Sequence, residues 1–375
     1  MPHIAVNTRL LLPNRLEGIS RFAYEILRRM AAEHPEVTFT YFFDRAYDPA
    51  YLTSPNIRAE VLFPPARHPL LWHAWFHFQL RRRLSALQPD LFYSPEFYLS
   101  LHPRIPEIAT FHDLAYEHFP QDLTGWAGRY VKKYSPQYAA HAREIVTVSE
   151  FTRQDLVEKY GIPAERIHVV YNSAGKQFFP IEREKKQGVR EQFSQGKPYF
   201  HFVGTIQPRK NLENTLLAFD RFKKETGSEM MLLLVGRQGW NYQAALDTYE
   251  QLTHKADVQF TGYVSDEDLN RIYGASEGLV YVPWLEGFGI PIVEAFHAEI
   301  PVITSDCTSL PEVAGDAALL VAPADVAGMA RAMALLATDA ALSASLVEKG
   351  RLQRQHFSWG NSADTLWQLL SGYLR

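Results

Sequence analysis

Residues 278–296, GLVYVPWLEGFGIPIVEAF, pass from a predicted strand through a loop into a predicted helix. GLVYVP is an apolar run of strand length, and Pro291 suits the first turn of a helix. Glu286 and Glu294 stand at the two ends of EGFGIPIVE. Glycine lets backbone N–H groups approach a ligand closely, and a helix N-terminus attracts phosphate. The stretch therefore predicts a site that holds an anionic group on its backbone and hydroxyl groups on its two carboxylates, as a nucleotide sugar would require.

The alternation of strand and helix extends from this stretch through the whole chain. The strands predicted in the second half are YFHFVG, MMLLLVG, VQFTG, GLVYVP, PVITS and AALLV, and those in the first half are HIAVN, VTFTYFF, IRAEVLF, DLFYS, EIATFHD, EIVTVS and IHVVYN. The helices predicted between them include 18–33, 69–87, 126–142, 150–160, NLENTLLAFDRFKKE and SDEDLNRIYGAS. Asn211 is the predicted N-cap of the helix that follows it, and Ser265 has capping-box spacing with Asp268. This pattern predicts parallel α/β sheets.

The length of 375 residues predicts two domains. Residues 180–197 are polar, charged and short of apolar residues, which is typical of a domain junction. We therefore expect a first domain over 1–180 and a second over 181–357, each long enough for a doubly wound fold. Ligands of such sheets bind beyond the carboxyl ends of the strands, so a cleft between two facing domains is the expected site.

Composition narrows the class of protein. Hydrophobic residues make up 46% and charged residues 21%, and the net charge of −4 provides no overall attraction to nucleic acid. The single Cys307 excludes a disulfide framework, and the 14 His residues include no HExxH pair, so no metal is expected. The apolar run near the N-terminus is too short for a signal peptide, and no run approaches the roughly 18 residues of a membrane span. A cytoplasmic location is expected.

The loops after the strands of the second half carry the candidate site residues. Arg209 and Lys210 follow YFHFVG and precede a helix, where cations and helix N–H groups suit a diphosphate; the alternative is a solvated basic turn. Gly236 and Gly239 follow MMLLLVG, where a tight turn leaves room for a base or a ribose, although glycine at this place is often only a turn residue. Asp306, Thr308 and Ser309 follow PVITS, and capping of the short LPEVAG turn is the preferred interpretation.

The two carboxylates of EGFGIPIVE have different alternatives. We place Glu294 in the first turn of its helix, where the helix dipole alone favours a carboxylate; its functional interpretation is to accept hydrogen bonds from ribose hydroxyls. Glu286 precedes the helix and has no such structural reason to be acidic. We therefore expect function to explain the segment as a whole.

Fewer candidate residues lie in the first half. Gly18 begins the first long helix, whose N–H groups suit a phosphate, with a plain glycine cap as the alternative. His112 and Asp113 directly follow the EIATF strand, and a histidine there can donate to a sugar hydroxyl or transfer a proton. Ser149 is interpreted as an N-cap.

The helix predicted over 69–87 is rich in aromatic residues followed by arginines. Its aromatic residues and cations are Trp72, Trp75, Phe76, Phe78, Arg81, Arg82 and Arg83. The preferred interpretation is a helix that covers the sheet, with its arginines in water. Contact with a membrane surface is the alternative, because aromatic residues beside cations suit an interface.

These segments together resemble the retaining GT-B glycosyltransferases of family 4, the glycosyl transferases of group 1. The resemblance is dense over residues 200–360, in VGTIQPRKNLENTLLAF, LLVGRQGW, QFTGYVSDEDLNRIY, LVYVPWLEGFGIPIVEAF, PVITSDCTSLPEVAGDAALLV and FSW. In the first half it is carried by LEGIS, FHDL and TVSEFT. It implies two Rossmann-like domains facing across a cleft, no metal requirement, and a last helix at 358–375 that completes the N-terminal domain.

The resemblance also implies roles for particular residues. Arg209 and Lys210 would neutralise the donor diphosphate, Glu294 would bind the ribose, and Glu286 would hold the transferred sugar. His112 would contact the sugar near its C6 hydroxyl. The remaining donor-binding positions that it implies are Gly18, Thr205, Gly236, Phe288, Gly289 and Ile290. This chain departs from the common pattern at Thr205, where many members have Arg, and at Ile19, where many have a second glycine.

The GTxxPRKN form and EGFGIP resemble bacterial mannosyltransferases that build surface polysaccharides such as lipopolysaccharide. GDP-mannose is the first expected donor, and UDP-glucose or another UDP-hexose is the second. The expected acceptor is a glycan or a lipid-linked saccharide, which agrees with a peripheral position on the inner face of the cytoplasmic membrane. Retention by front-face attack is expected, with the leaving phosphate helping to deprotonate the acceptor. A nucleotide-sugar epimerase, a phosphorylase and a non-catalytic sugar-nucleotide binding protein are the alternatives.

Overall fold

The computed structural model describes residues 1–13, 16, 18–239 and 241–375. The described chain forms two compact units, one of Met1–Asn172 with Ser358–Arg375 and the other of Ser173–Phe357. The sequence prediction had placed the first boundary after residue 180. Glu17 of the LEGIS segment and Trp240 of the RQGW segment lie outside the described residues.

The first unit is built on a sheet of seven parallel strands. The strands are β1 (His3–Asn7), β2 (Thr38–Phe43), β3 (Ile57–Val61), β4 (Leu91–Ser94), β5 (Glu107–Phe111), β6 (Glu144–Thr147) and β7 (Ile167–Val169). Their order across the sheet is β3-β2-β1-β4-β5-β6-β7. The helices before residue 172 are α1 (Ile19–Glu33), α2 (Pro69–Ala74), α3 (Arg81–Leu87), α4 (Ala115–His118), α5 (Gly125–His141) and α6 (Glu150–Tyr160). A π-helical turn, Trp75–Leu80, joins α2 to α3, and 3₁₀ turns lie at Pro49–Tyr51, Pro120–Asp122 and Ala164–Arg166.

The second unit repeats this plan with six parallel strands. The strands are β8 (Tyr199–Val203), β9 (Met231–Val235), β10 (Val258–Gly262), β11 (Gly278–Tyr281), β12 (Val302–Ser305) and β13 (Leu319–Val321), in the order β10-β9-β8-β11-β12-β13. The helices are α7 (Arg183–Ser194), α8 (Leu212–Thr226), α9 (Gln243–Gln251), α10 (Asp266–Ala275), α11 (Ile290–Ala298), α12 (Leu310–Ala314), α13 (Val326–Thr338) and α14 (Ala340–Gln353). The 3₁₀ turns are Pro208–Lys210, Lys255–Asp257 and Arg354–His356.

The composition of the strands explains the parallel sheets. All six residues of β2 and all five of β9 are buried, as expected when helices cover both faces of a sheet. Ser149 and Ser265 cap α6 and α10, accepting hydrogen bonds from the backbone N–H of Thr152 and Asp268 as predicted. The predicted strands and the doubly wound fold class are confirmed in both units.

Two local predictions need correction. Asn211 occupies the predicted N-cap position of α8, but its side chain does not cap the helix: its backbone is left-handed with φ 59°, and its amide donates to the carbonyls of Val282 and Pro323 at 2.9 and 2.7 Å. The polar residues 180–197 are not a connector, because most of them form α7. Val189 of that helix is buried in an apolar cluster with Tyr199 and Ile272, so one apolar face suffices to dock a mostly charged helix on the second unit.

The last helix, α15 (Trp359–Ser371), belongs to the first unit. Trp359, Leu366 and Leu370 are buried, and the Trp359 ring meets the edge of Phe22 in α1 at 6.2 Å. Beyond the helix, Tyr373 donates to Oε1 of Glu144, the first residue of β6, at 2.7 Å. The C-terminus therefore packs on elements from the start of the chain.

In each sheet the order in which successive strands are added reverses at one place. Chain order reverses between β1 and β4 in the first unit and between β8 and β11 in the second. The carboxyl ends of the two strands at such a switch point diverge and leave a crevice for a ligand. The loops that follow these four strands are therefore the places to look for a site.

Candidate active site

Arg209, Lys210 and Glu286 meet at the switch point of the second unit. Lys210 donates to Glu286 Oε1 and, at 2.7 Å, to the hydroxyl of Tyr281, the last residue of β11. Arg209 donates from Nη1 to the same Oε1 at 3.3 Å and to the carbonyl of Leu285 at 3.0 Å. The loops after β8 and β11 are also joined through the backbone, since Trp284 N–H donates to the Arg209 carbonyl at 2.9 Å. The structure thus brings together three of the four residues predicted to be catalytic.

The two cations of this cluster keep the Glu286 carboxylate ionised. Burial alone would raise the pKa of Glu286, but the charges of Lys210 and Arg209 and hydrogen bonds from Lys210 and Tyr281 lower it to about 2. Glu286 is therefore ionised at neutral pH, and two cations face one anion. The side chains of Arg209, Lys210 and Glu286 are 19%, 12% and 11% exposed, so their charges interact in a poorly solvated place.

Ser309 and Thr308 support the glycine loop. Ser309 was interpreted as a cap of the LPEVAG turn, and that prediction is wrong: its side chain makes no cap bond on α12. Its hydroxyl donates instead to the carbonyls of Glu286 and Phe288, at 2.9 and 3.0 Å. Thr308 accepts from the Glu286 N–H at 3.4 Å. The loop after β12 therefore holds the EGFG backbone, a role that the sequence alone did not indicate.

Gly289 ends that loop and begins α11. Its φ is 99°, and a Cβ at this position would lie 2.5 Å from Leu310 Cδ2, so both backbone and packing require glycine. Ile290 is the first helical residue, and Phe288 is buried with its ring edge-on to Phe357 at 5.4 Å. The predicted backbone donors thus lie at a helix N-terminus, where an anion is favoured.

Glu294 lies just beyond the first turn of α11, and not within it as predicted. The helix begins at Ile290 and has no acidic residue in its first turn, so the helix dipole does not explain this carboxylate. Glu294 is 9% exposed and accepts a 2.8 Å hydrogen bond from the hydroxyl of Tyr273 in α10. A buried, oriented carboxylate is more specific than an exposed one that merely stabilises a helix end.

Gly236 and Thr205 belong to neighbouring loops after β9 and β8. Gly236 has φ 137°, and a Cβ there would lie 2.1 Å from the carbonyl oxygen of Gly204. A Cβ on Gly239 would lie 2.7 Å from both the Ile206 carbonyl oxygen and Thr205 Cγ2. The two glycines therefore allow the β8 and β9 loops to approach each other, which is a sufficient structural reason for both.

Gly18 and His112 lie in the first unit, near one another. Gly18 is the N-cap residue of α1 with φ 47°, and Phe22, whose N–H donates to the Gly18 carbonyl, meets His112 edge-on at 5.1 Å. His112 Nε2–H donates to the Pro95 carbonyl at 2.9 Å, and burial lowers the pKa of the ring. The ring is therefore neutral, and its Nδ1 is the acceptor nitrogen.

The sequence reasoning missed Arg9 and Glu96, which occupy the switch point of the first unit. Arg9 donates from Nε and Nη2 to both carboxylate oxygens of Glu96, at 2.5 Å each, and Asn7 donates to Oε1 at 2.6 Å. The guanidinium lies 4.9 Å from the Tyr98 ring centroid. Their positions in the sequence could have indicated them, because Arg9 closely follows β1 and Glu96 closely follows β4.

Two absences concern only the described part of the chain. Within it, no three His, Cys, Asp or Glu side chains come together as a metal site would need. No single helix there has the length and hydropathy of a membrane span, although the bent pair Val326–Thr338 with Ala340–Ser371 passes that test by length and composition.

Comparison with known proteins finds two family models that together cover most of the chain. The model for glycosyl transferases group 1 matches residues 183–353, and the model for glycosyltransferase family 4 matches residues 16–174. The O-antigen chain mannosyltransferase B of Escherichia coli is 30% identical over 361 residues, spanning 92% of this chain and 93% of that protein.

Solved structures with the same fold are more distant in sequence. Sucrose-phosphate synthase from Thermosynechococcus elongatus matches with a TM-score of 0.80 at 18% identity, over 99% of both chains. HepE of Anabaena, solved in complex with UDP-glucose, matches with a TM-score of 0.77 at 18% identity, again over 99% of both chains. At this identity the likeness establishes the GT-B fold only.

Proposed function

The chain belongs to the family 4 glycosyltransferases, and from that premise we propose that it is a retaining mannosyltransferase of bacterial surface polysaccharide synthesis. The donor is GDP-mannose, and the acceptor is a glycan or a lipid-linked saccharide. The observation that carries the proposal is the Arg209–Lys210–Glu286 cluster at a switch point, in a chain that is 30% identical to an O-antigen mannosyltransferase over nearly its whole length.

In this proposal the second unit binds the donor. The cations of Arg209 and Lys210 neutralise the diphosphate, and Glu294 accepts hydrogen bonds from the ribose hydroxyls. Among the residues that the structure describes, all three donors to Glu286 meet on Oε1, so Oε2 is the oxygen that remains to accept from the sugar. The backbone at Phe288, Gly289 and Ile290 approaches the same sugar and phosphates.

The transfer needs mainly charge stabilisation. The bond from the sugar C1 to the β-phosphate oxygen breaks, the bond from C1 to the acceptor oxygen forms on the same face, and the acceptor proton moves to the departing phosphate. Negative charge grows on the diphosphate as it leaves, and Arg209 and Lys210 are already oriented toward it by Glu286, Tyr281 and the Leu285 carbonyl. No step uses a metal ion, so we expect full turnover in the presence of EDTA.

The first unit supplies contacts of a different kind. The neutral His112 can accept a hydrogen bond from a sugar hydroxyl through Nδ1, because its Nε2–H is engaged with Pro95. The N-terminus of α1 at Gly18 offers backbone N–H groups to a phosphate. The assignment of His112 is tested by His112→Ala, which should lower turnover more than it weakens binding of GDP alone.

A UDP-hexose is the second candidate donor, favoured by the complex of HepE with UDP-glucose. Thermal shifts with GDP, UDP, ADP and their sugars distinguish the two, since a ligand at about 100 times its dissociation constant stabilises by about 2.7 kcal/mol. We expect the largest shift with GDP and GDP-mannose. A thermal shift with UDP-glucose alone would show that the donor is UDP-glucose and not GDP-mannose. The absence of a shift with every nucleotide tested would refute the proposal.

Other activities of the same fold predict different products. An epimerase would convert the nucleotide sugar without an acceptor, a phosphorylase would need free phosphate, and a non-catalytic binding protein would release no GDP. Retention is read directly from the anomeric configuration of the product by NMR.

We also propose that the first unit contacts the inner face of the cytoplasmic membrane. The α2–α3 segment, residues 69–87, and α5, residues 125–141, contain no Asp or Glu, although the chain as a whole has a net charge of −4. Their exposed cations are Arg81, Arg82, Arg129, Lys132 and Lys133. Anionic lipid attracts such a face by about 1 kcal/mol for each cation near the surface.

Exposed apolar side chains lie on the same two segments. Leu70, Phe78 and Trp126 are 60%, 62% and 59% exposed. Ring contacts join the helices, since His73 lies 5.5 Å from Phe78 and 5.6 Å from Tyr134. By contrast Trp75 and Phe76 are fully buried. For these two residues the sequence prediction of a helix that covers the sheet agrees with the structure.

Sedimentation with vesicles tests this contact. The wild type should sediment with phosphatidylglycerol vesicles, be released by high salt, and stay in solution with phosphatidylcholine vesicles. The double substitution Arg81→Glu and Arg82→Glu should abolish sedimentation, whereas the equally charge-changing control Arg221→Glu and Lys255→Glu should not. A wild type that never sediments with anionic vesicles would contradict the proposal.

A further inference from the structure

Each carboxylate of the EGFGIPIVE segment receives a hydrogen bond from a buried tyrosine. Tyr281 donates to Glu286 and Tyr273 donates to Glu294, both at 2.8 Å. Both rings are at most 1% exposed. Tyr281 ends β11 and lies five residues before Glu286, so that pair is local in the chain. Tyr273 lies in the last turn of α10 and Glu294 in α11, so their pairing depends on the packing of the two helices.

The hydroxyl of Tyr281 is shared between the two charges of the cluster. It accepts from Lys210 Nζ at 2.7 Å and donates to Glu286 Oε1, while the ammonium also lies 5.2 Å from the centroid of its ring. Burial and the charge of Glu286 raise the pKa of Tyr281 well above its ordinary value, so the phenol keeps the proton that it donates. The hydroxyl thus contacts both members of a direct ion pair and restrains the position of each.

Tyr273 has a rigid setting of its own. Its ring is met edge-on by His201 at 4.4 Å and by Phe178 at 5.2 Å. His201 is fully buried, its Nδ1 is hydrogen-bonded to Ser276 at 2.9 Å, and burial lowers its pKa to about 3, so it is neutral. The phenol therefore cannot turn away from Glu294 without displacing core side chains.

We propose that Tyr273 and Tyr281 are positioning residues for the donor, one for the ribose and one for the transferred sugar. Tyr273 orients Glu294 so that its carboxylate meets the ribose hydroxyls, and Tyr281 orients Glu286 with Lys210 so that sugar and diphosphate are held together. The inference rests on the proposed roles of Glu286 and Glu294. Its physical basis is that a carboxylate must be held to within about 0.5 Å to act with full effect, and a second hydrogen-bonded group supplies that constraint.

A ring without its hydroxyl distinguishes positioning from packing. Tyr273→Phe and Tyr281→Phe each remove one hydroxyl and keep the ring. Tyr199→Phe is the matched control, because Tyr199 is equally buried in the second unit and its hydroxyl donates to the Ile272 carbonyl at 2.8 Å. All three variants lose one buried hydrogen bond, so a shared loss of stability carries no information about the site.

The readout is the dissociation constant for GDP and the ratio of the constants for GDP-mannose and GDP, measured by calorimetry on the intact protein. Tyr273→Phe should weaken the affinity for GDP about tenfold, which is the scale of one charge-assisted hydrogen bond. It should leave the ratio of the two dissociation constants within about twofold of the wild-type ratio. Tyr281→Phe should raise the ratio about tenfold. Tyr199→Phe should change neither quantity.

The outcomes separate the two proposals. If the wild type binds UDP and UDP-glucose but not GDP and GDP-mannose, the assignment of the donor fails. The dissociation constant and the ratio of constants are then measured with UDP and UDP-glucose. If the wild type binds its donor normally and both variants match Tyr199→Phe, the positioning roles are refuted while the proposed function stands. If no nucleotide binds, both are refuted.

Discussion

At the scale of single residues, Glu286 shows how a loop acid is held by tertiary contacts at the candidate site. Three donors converge on one of its oxygens, which fixes the carboxylate and also holds Arg209 and Lys210 in place. The arrangement is charged before any ligand arrives. Little reorganisation is then needed when a diphosphate enters, which is the condition for strong electrostatic stabilisation of a departing anion.

Substitution of the two cations tests this role. Arg209→Ala and Lys210→Ala should each lower turnover of GDP-mannose by at least about a hundredfold, the scale of one removed donor to a developing charge. Arg221→Ala is the control, because that arginine is about half exposed and pairs only with Glu225 in the described chain. Near-normal turnover in both site variants would reject the assignment.

The depressed pKa of Glu286 predicts a dependence of stability on pH. A carboxyl group with a pKa of about 2 when folded and 4.5 as its ordinary value stabilises the fold above about pH 4.5, and the contribution is lost as pH falls toward 2. Its size is on the order of 3 kcal/mol. The difference in thermal midpoint between wild type and Glu286→Gln should be constant above pH 5 and narrow below pH 4.5. A difference independent of pH would show that the ionisation of Glu286 does not stabilise the fold.

At the scale of elements, loops after neighbouring strands hold one another. The β8 and β11 loops share the hydrogen bond from Trp284 to Arg209, and the β12 loop supports the EGFG backbone through Ser309. The β8 and β9 loops touch where Gly236 faces Gly204. Because each loop is supported by the next, the geometry of the site depends on residues that need not touch a ligand.

Gly236 is the most sensitive point of this contact. Gly236→Ala would place a methyl group 2.1 Å from the Gly204 carbonyl oxygen at a φ of 137°, so the loops must separate. We expect a loss of about 1–3 kcal/mol in stability and a weaker affinity for GDP. Gly188→Ala is the control: this exposed glycine lies in α7 with open space around its Cβ position, and it should gain about 0.5–1 kcal/mol. Chemical unfolding and calorimetry measure both effects, and equal behaviour of the two variants would contradict the argument.

At the scale of the whole molecule, the last helix returns to the first unit. The chain leaves that unit after Asn172, completes the second unit, and returns at Ser358. α15 packs on α1 with Leu366 and Leu370 fully buried, and the His34 and Trp367 rings stack at 3.5 Å. The first unit therefore contains two segments that are far apart in the chain.

Truncation of one buried side chain in α15 tests this connection. Leu366→Ala should destabilise the first unit by about 2–5 kcal/mol, the cost of a large-to-small change in a core. Leu352→Ala, at a leucine that is 60% exposed, is the control. Hydrogen exchange of the intact protein should show faster exchange in β1 and α1 but unchanged exchange in β8 and β11. Faster hydrogen exchange in the second unit alone would show that the assignment of α15 to the first unit is wrong.

Patterns of local origin could be recognised without a structure. The strands are continuous apolar runs because both of their faces are covered, and Ser149 and Ser265 cap helices because a cap needs only neighbouring residues. The glycine, proline and carboxylates of EGFGIPIVE indicated a helix start beside a ligand site, and the alternation of elements indicated two doubly wound sheets. Each of these features depends on residues close together in the chain.

Tertiary structure decided which distant residues share a contact. Asn211 bonds carbonyls of two other loops, Ser309 holds the EGFG backbone, and α7 joins the second unit through one apolar face. Arg9 meets Glu96, and Tyr273 meets Glu294, only because sheet order places their elements side by side. Periodicity and composition describe each element separately, whereas these hydrogen bonds depend on the packing between elements, which the sequence pattern does not specify.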